Sequence, residues 1–297
     1  MNIRLVVCIT FYYDFRRLIY LQKSLESLSI INVDKQIYIL TNTFDSDELL
    51  SIQSLIKENT TIVKSCENGH DFLLTWSHFS LMKKNLNEFT HFLYLEDDIE
   101  FSRKNLNYWI DAREKLKYTG LIPGFFRIEK INDFDVYSTD VIKPMSLYDC
   151  GLIDVENSET FISIVYPYQG MYLFDRELMN EFLESKDFNP DFSQNPSIKS
   201  WNRTNFGIRE KSALGLTYIS VPAGFNSRIV LPFNFINGVL HDTCFVHHLP
   251  NNYATDKNSP FGKVNVNNLF LPKSIKLYLL SLLKQYFKSI LLYITRN

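Results

Sequence analysis

An α/β fold, with a mostly parallel central sheet flanked by helices, is the class this sequence predicts, on three observations. Apolar runs of strand length alternate with segments of helical periodicity through the first 100 residues. The 297 residues suit one large domain with an appendage. With 45% hydrophobic and 22% charged residues the composition is that of an ordinary globular protein, which excludes disordered and fibrous classes. Alternation of this kind puts parallel strands in the middle and helices on their faces.

Leu5–Thr10 reads as a buried first strand and Gln36–Leu40 as a second. Between them Leu18, Leu21, Leu25 and Leu28 recur at helical spacing, so Arg17–Leu28 is a helix. Ser46–Lys57 is a second helix, apolar at Leu49, Leu50, Ile52, Leu55 and Ile56 and capped by Asp45 or Ser46. Thr61–Lys64 is a short strand, Phe72–Leu86 a helix, and His91–Leu95 a strand that stops at three acids. From about 120 to 235 the pattern is irregular and rich in aromatics and Pro, as a substrate-facing half would be. Asn251–Asn268 is polar and loop-like, and the tail from Lys273 is helical. The expected division is a main domain over 1–271 and a basic amphipathic helix over 272–297.

The formal net charge of −2 gives no case for nucleic-acid binding. Its distribution is uneven: residues 272–297 carry five cations and no acid, which leaves −7 on the rest. Cys8, Cys66, Cys150 and Cys244 form no CxxC pair or short-spaced framework, so reduced thiols in a cytoplasmic protein are expected. No apolar run reaches the ~18 residues needed to span a bilayer. GxGxxG and GxxxxGK[ST] are absent, against dehydrogenase and P-loop readings.

In open parallel sheets ligands sit beyond the carboxyl ends of the strands. Thr10 to Tyr13 (with Thr10 and Tyr12 as donor-binding candidates), Thr41-Asn42 and Glu96-Asp97-Asp98 should therefore share one crevice. Glu96 and Asp98, one residue apart at a strand end, can share a hard divalent cation, Mn²⁺ or Mg²⁺, that neutralises a departing diphosphate. On spacing alone an acidic turn capping the next segment is an equal alternative.

The segment Phe92-Leu-Tyr-Leu-Glu-Asp-Asp-Ile-Glu-Phe101 resembles the DxD region of GT-A glycosyltransferases, with Glu96 in the first acidic position and Asp98 in the last. Val6-Val-Cys-Ile-Thr-Phe-Tyr-Tyr-Asp14 followed by Tyr20-Leu-Gln-Lys-Ser-Leu-Glu-Ser-Leu28 is similar to that group's opening strand and helix. Arg209-Glu-Lys-Ser-Ala-Leu-Gly-Leu216 looks like its acceptor-side motif, in which an acid opens a helix. The resemblance implies a nucleotide-binding domain that moves a sugar from a nucleotide-sugar donor, a UDP-sugar in expectation, to a glycan or lipid-linked acceptor. It implies a place in surface-polysaccharide synthesis at the inner face of the membrane, and a late histidine and lysine completing the donor site.

Under that resemblance Glu210 is the candidate general base, Glu96, Asp98 and His248 the metal ligands, and Asp97 a further donor-site acid. His247 is an open alternative to His248, and Lys263 would hold the diphosphate. Asp71, before the helix with Trp76 and His78, either binds ribose or base or caps that helix. Arg203 and Arg209 can meet phosphate bidentately or simply solvate a loop. Tyr166-Pro-Tyr-Gln-Gly170 and Trp201 offer aromatic faces, though at 15% aromatics most such residues must be core.

Two other functions compete. A sugar-phosphate nucleotidyltransferase uses similar acids but wants a Gly- and Lys/Arg-rich loop after the first strand, where this chain has Thr10-Phe-Tyr-Tyr-Asp14. A non-catalytic carbohydrate-binding protein gives no reason for a strand-end acid pair. In the tail, Lys273, Lys276, Ser281, Lys284, Gln285 and Lys288 fall on one half of a helical wheel. Ile275, Leu279, Leu282, Leu283, Tyr286 and Ile290 lie mostly on the other, with Leu277, Leu280 and Leu291 intruding on the basic half. Such a helix suits an anionic membrane surface, and a helix docked on the domain is its alternative.

Overall fold

The computed structural model describes residues 2–67, 71–155, 159–185, 188, 207–272, 274–277, 279, 280 and 283. In chain order the strands are β1 (Arg4–Phe11), β2 (Asp34–Thr41), β3 (Thr61–Ser65), β4 (His91–Glu96), β5 (Ile99–Glu100), β6 (Ile122–Pro123) and β7 (Phe126–Lys130). They continue with β8 (Val136–Ser138), β9 (Gly151–Val155), β10 (Glu159–Ser163), β11 (Met171–Asp175), β12 (Ile229–Asn234), β13 (Val239–Leu240) and β14 (Phe245–His248). The helices are α1 (Leu18–Ser29), α2 (Ser46–Gln53), α3 (His78–Lys84), α4 (Arg103–Leu116), α5 (Arg176–Glu184), α6 (Ile208–Leu214) and α7 (Asn252–Thr255).

The central sheet runs β11-β4-β1-β2-β3, parallel from β4 to β3 with only β11 antiparallel. This is the expected mostly parallel α/β sheet. Val6, Val7, Cys8 and Ile9 are all buried, as a strand covered on both faces requires. α1 buries Leu21, Leu25 and Leu28, three of the four leucines that predicted it. Asp45 caps α2 by accepting from the backbone N–H of Asp47 and Glu48. The four cysteines are free thiols.

One expected helix is broken. Phe72–Leu86 is a 3-10 turn over Asp71–Trp76 followed by α3. Two tertiary bonds favour the break, Trp76 Nε1 donating to Ile208 O at 3.0 Å and His78 Nε2 bonding Tyr172 Oη at 2.7 Å, while His78 Nδ1 bonds the local Thr75 O at 2.7 Å. The irregular middle of the sequence forms two smaller sheets, β13-β12-β10-β9 and β5-β14-β7-β8. β5 carries the chain from the acidic triplet straight into the second of these, pairing Ile99 with His248. The late segment contains the single turn α7, where a loop was expected.

The described start of the tail is helical and packs on the domain. Leu147 N donates to Ser274 Oγ at 3.2 Å, and Ile275 lies against Gly238 in the β12–β13 turn. Leu277, Leu280 and Leu283 are exposed. Lys273 and residues 284–297, which carry most of the tail's expected basic face, lie outside the described residues. Among the described residues no helix is long and apolar enough to cross a membrane.

Candidate active site

β1 and β4 pair in register from Leu5–His91 to Thr10–Glu96, so both strands end together. Beyond them opens a cleft of about 1470 Å³ lined by Thr10, Tyr12, Glu96, Asp97, Asp98, His248 and Glu210. These are seven of the sequence candidates, drawn together from four parts of the chain. Asp71 begins a 3-10 turn, and its side chain lies outside the described residues, as do Arg203, Trp201 and Asn68 to His70. Thr41 and Lys263 do not line the cleft. Thr41 is fully buried, and Lys263 Nζ donates to the carbonyls of Tyr253, Ala254 and Asp256 at 2.9, 3.3 and 2.7 Å. Lys263 thus ties down the loop around α7.

β4 ends at Glu96, and Asp97 and Asp98 form the turn that follows. α1 lies beneath it: Ser24 Oγ donates to Asp97 O and Ile99 O at 3.1 and 2.8 Å, and Ser27 Oγ to Phe101 O at 2.7 Å. That clamp brings Arg17, at the head of α1, onto the acids. Arg17 Nε donates to Asp97 Oδ2 at 3.0 Å, and its Nη2 to Asp97 Oδ1 at 2.7 Å and Asp98 Oδ2 at 2.8 Å. Asp97 and Asp98 are both buried.

His248 meets the same pair from the other side. Its Nδ1 lies 2.6 Å from Oε1 of the fully buried Glu129, and its Nε2 lies 3.5 Å from Asp98 Oδ2. Burial disfavours the imidazolium, but hydrogen bonds to Asp98 and Glu129 outweigh it and raise the His248 pKa to about 9. Burial likewise opposes charge on Asp98, yet His248 and Arg17 hold its carboxyl well below the usual range. Asp97 moves the other way, raised by burial and by the Asp98 charge despite Arg17. The neighbouring His247 bonds Glu100 and Asn251 at 3.3 and 2.9 Å and does not line the cleft. Strand alternation separates the two histidines: β14 turns one side chain to the cleft and the next away.

Glu96 has partners of its own. Tyr168 Oη donates to Glu96 Oε1 at 3.1 Å, and Arg127 Nη1 lies 3.8 Å from Oε2. Arg127 is buried, stacks over Tyr168 at 4.9 Å and donates to Asp140 through Nε at 3.0 Å and Nη2 at 2.6 Å. Burial and the Asp98 charge raise the Glu96 pKa. Gly170 makes this approach possible. Its φ is +64°, its carbonyl accepts from Glu96 N at 3.2 Å, and a Cβ there would stand 3.1 Å from Glu96 Oε2.

Across the cleft, α6 carries Glu210 in its first turn, after Gly207 as N-cap. The Trp76–Ile208 bond fixes the start of this helix against the 3-10 turn. Arg209 pairs with Glu210 Oε1 at 3.6 Å. Burial works against the Arg209 charge, but Glu96 and the neighbouring Tyr168 and Glu210 raise its pKa, so the guanidinium feels acids from both walls.

Sequence reasoning missed Arg17, Arg127 and Asp140 and rated Tyr166 and Tyr168 low; all five line the cleft. Only Arg17 left a trace, as the basic residue heading the first predicted helix.

The donor set suits a divalent cation with few protein ligands. Glu129 holds His248 Nδ1, which leaves Nε2 facing Asp98, and Asp98 Oδ1 is buried with no hydrogen-bond partner among the described residues. Among the described residues no group of three or more His, Cys, Asp or Glu is arranged around a metal position. Two protein donors fit an ion whose other positions are filled by water and substrate phosphates.

No protein-family model matches the chain, and no curated protein matches it. Among solved structures it is similar to TarS of S. aureus, at a TM-score of 0.40 and 13% identity over 63% of this chain and 33% of that one. A TarS 1–349 structure matches at a TM-score of 0.39 and 12% identity over 72% of this chain and 56% of that one. A 4-diphosphocytidyl-2C-methyl-D-erythritol synthase from Anaerococcus prevotii matches at a TM-score of 0.33 and 13% identity, over 62% and 77% of the two chains. The chain spans about a third to just over half of the TarS chains it matches.

Proposed function

We propose that this chain is a metal-dependent glycosyltransferase of the GT-A type, moving a sugar from a UDP-sugar or related donor to a hydroxyl of a glycan or lipid-linked acceptor. One observation carries the reading. The acids at the end of β4, four arginines (Arg16, Arg17, Arg127 and Arg209) and Glu210 line a single cleft at the carboxyl end of a mostly parallel sheet. Such a cleft pairs groups for a diphosphate with a base for an acceptor.

Arg209 is the cleft arginine best able to turn toward a phosphate. Arg16, Arg17 and Arg127 are each held by a carboxylate in two short hydrogen bonds, whereas among the described residues Arg209 makes only the 3.6 Å pair with Glu210. Asp98 and His248 would hold the divalent ion, Mn²⁺ or Mg²⁺, with Glu96 adding negative charge nearby. Bound there, the ion would neutralise charge on the departing diphosphate. Glu210 takes the proton of the acceptor hydroxyl as that oxygen attacks the sugar carbon and the bond to the nucleoside diphosphate breaks, a single displacement that inverts the carbon. Tyr12, Tyr166 and Phe261 line the cleft and supply ring faces for sugars.

The basic tail holds the enzyme on an anionic membrane beside a lipid-linked acceptor, at the cytoplasmic leaflet. Its five cations without an acid support this, together with exposed Leu277, Leu280 and Leu283.

A thermal-shift panel tests the function. Stabilisation by a nucleoside diphosphate that requires Mn²⁺ is the expected result. Stabilisation by triphosphates alone would point to a nucleotidyltransferase, and no shift with any nucleotide to a binding protein.

A further inference from the structure

Arg17 stands where a cation is wanted. The clamp of Ser24 and Ser27 on the backbone of residues 97–101 fixes α1 beneath the acidic turn, so the guanidinium is delivered by the helix. It spends Nε and Nη2 on three oxygens of Asp97 and Asp98. Nη1 has no hydrogen bond among the described residues, and the side chain, which lines the cleft, is 34% exposed. One edge of the fork therefore neutralises the buried acids while the other faces the space a substrate would enter.

Two cations cannot both take the same carboxylate oxygens. A divalent ion reaching Asp98 through Oδ1, unpartnered among the described residues, would share the carboxylate with Arg17, already on Oδ2, and the two cations repel. Two buried acids stripped of Arg17 repel each other unless another cation takes its place. A guanidinium released from the acids needs a new anion, and its planar fork matches a diphosphate as well as a carboxylate. We propose that Arg17 is the resident counter-cation of the Asp97–Asp98 pair, competing with a divalent ion for these acids, so that the ion binds tightly only with a nucleoside diphosphate that gives the guanidinium a second partner. The proposal rests on the donor-site reading of the cleft and deepens it: metal and nucleotide bind as a coupled pair. By linkage each raises the other's affinity by the same factor.

The test is titration of Mn²⁺ into the full chain, with and without UDP, for wild type, Arg17→Met and Arg17→Lys. Wild type should bind Mn²⁺ weakly alone and about tenfold or more tightly with UDP, within the usual range of coupling. Arg17→Met removes the competitor, so Mn²⁺ alone should bind at least about tenfold tighter than to wild type, and the enhancement by UDP should shrink below about threefold. Mn²⁺ alone should also restore the melting temperature that this variant loses. Arg17→Lys keeps the charge without the fork and should fall between the two, and it serves as the reporter if Arg17→Met does not fold. Equal or weaker Mn²⁺ binding by the variants would overturn the competition and leave the donor site standing. Failure of every form to bind Mn²⁺, even with UDP, would overturn the metal site and this inference together.

Discussion

His248 Nε2 lies 3.5 Å from Asp98 Oδ2, while its Nδ1 is bound to the fully buried Glu129 at 2.6 Å. The histidine is thus held between two acids, one lining the cleft and one behind it. Its pKa is raised from 6.5 to about 9, so the folded protein binds a proton there that the unfolded chain has lost. The stability from this site is complete below pH 6.5 and disappears as pH rises through about 9. In EDTA, the urea midpoint of wild type should fall between pH 6.5 and 9.5 by more than that of His248→Gln. An equal fall in both would show that the site contributes none of the pH dependence.

Asp98→Asn should abolish turnover and also weaken the fold. Asp98 is buried and faces both Arg17 and His248, so its loss leaves the half-buried Arg17 and the buried His248 short of a partner. The expected cost is about 3 kcal/mol, the low end for breaking a buried pair, because Arg17 keeps Asp97. Chemical denaturation together with donor binding on the folded variant separates the two effects. A variant as stable as wild type would contradict the pairing.

Glu210→Gln keeps the size of the side chain and removes its basicity. Turnover should drop about 10²- to 10⁴-fold while the affinity for UDP and Mn²⁺ stays near that of wild type. A fall in nucleotide affinity with kcat unchanged would make Glu210 a donor anchor instead of a base.

Much of the central sheet was legible because β1, β2 and β4 are nearly continuous apolar runs and α1 keeps a strict helical spacing. The break in Phe72–Leu86 was not, since it depends on Trp76 and His78 finding partners at Ile208 and Tyr172. The acidic triplet announced itself by position, at the end of an apolar strand. Its cations did not. Arg17 lies 80 residues from Asp97, and before folding nothing distinguishes it from the exposed Arg16 beside it. Arg127 and Tyr168 were hidden by composition, as one basic residue and one aromatic among many. The choice between His247 and His248 needed β14, a four-residue strand too short to read from its pattern.

Ser274 and Ile275 pack on the domain, so a cut at 272 would expose core. Removing residues 284–297 takes away Lys284, Lys288 and Arg296 and should leave donor hydrolysis intact. Co-sedimentation with anionic liposomes should then drop severalfold, and the remaining binding should be lost at high salt. A truncated chain that sediments as well as the full one would refute the anchor.

Hydrolysis of UDP-, GDP- and CMP-sugars, followed as release of free sugar and nucleotide, tests the donor cleft most directly. The cleft's acids and arginines predict that one nucleotide class is hydrolysed, that EDTA stops the reaction and Mn²⁺ restores it, and that Asp98→Asn is inactive. No hydrolysis of any donor in the presence of Mn²⁺, or a rate unchanged by EDTA and by Asp98→Asn, would contradict it.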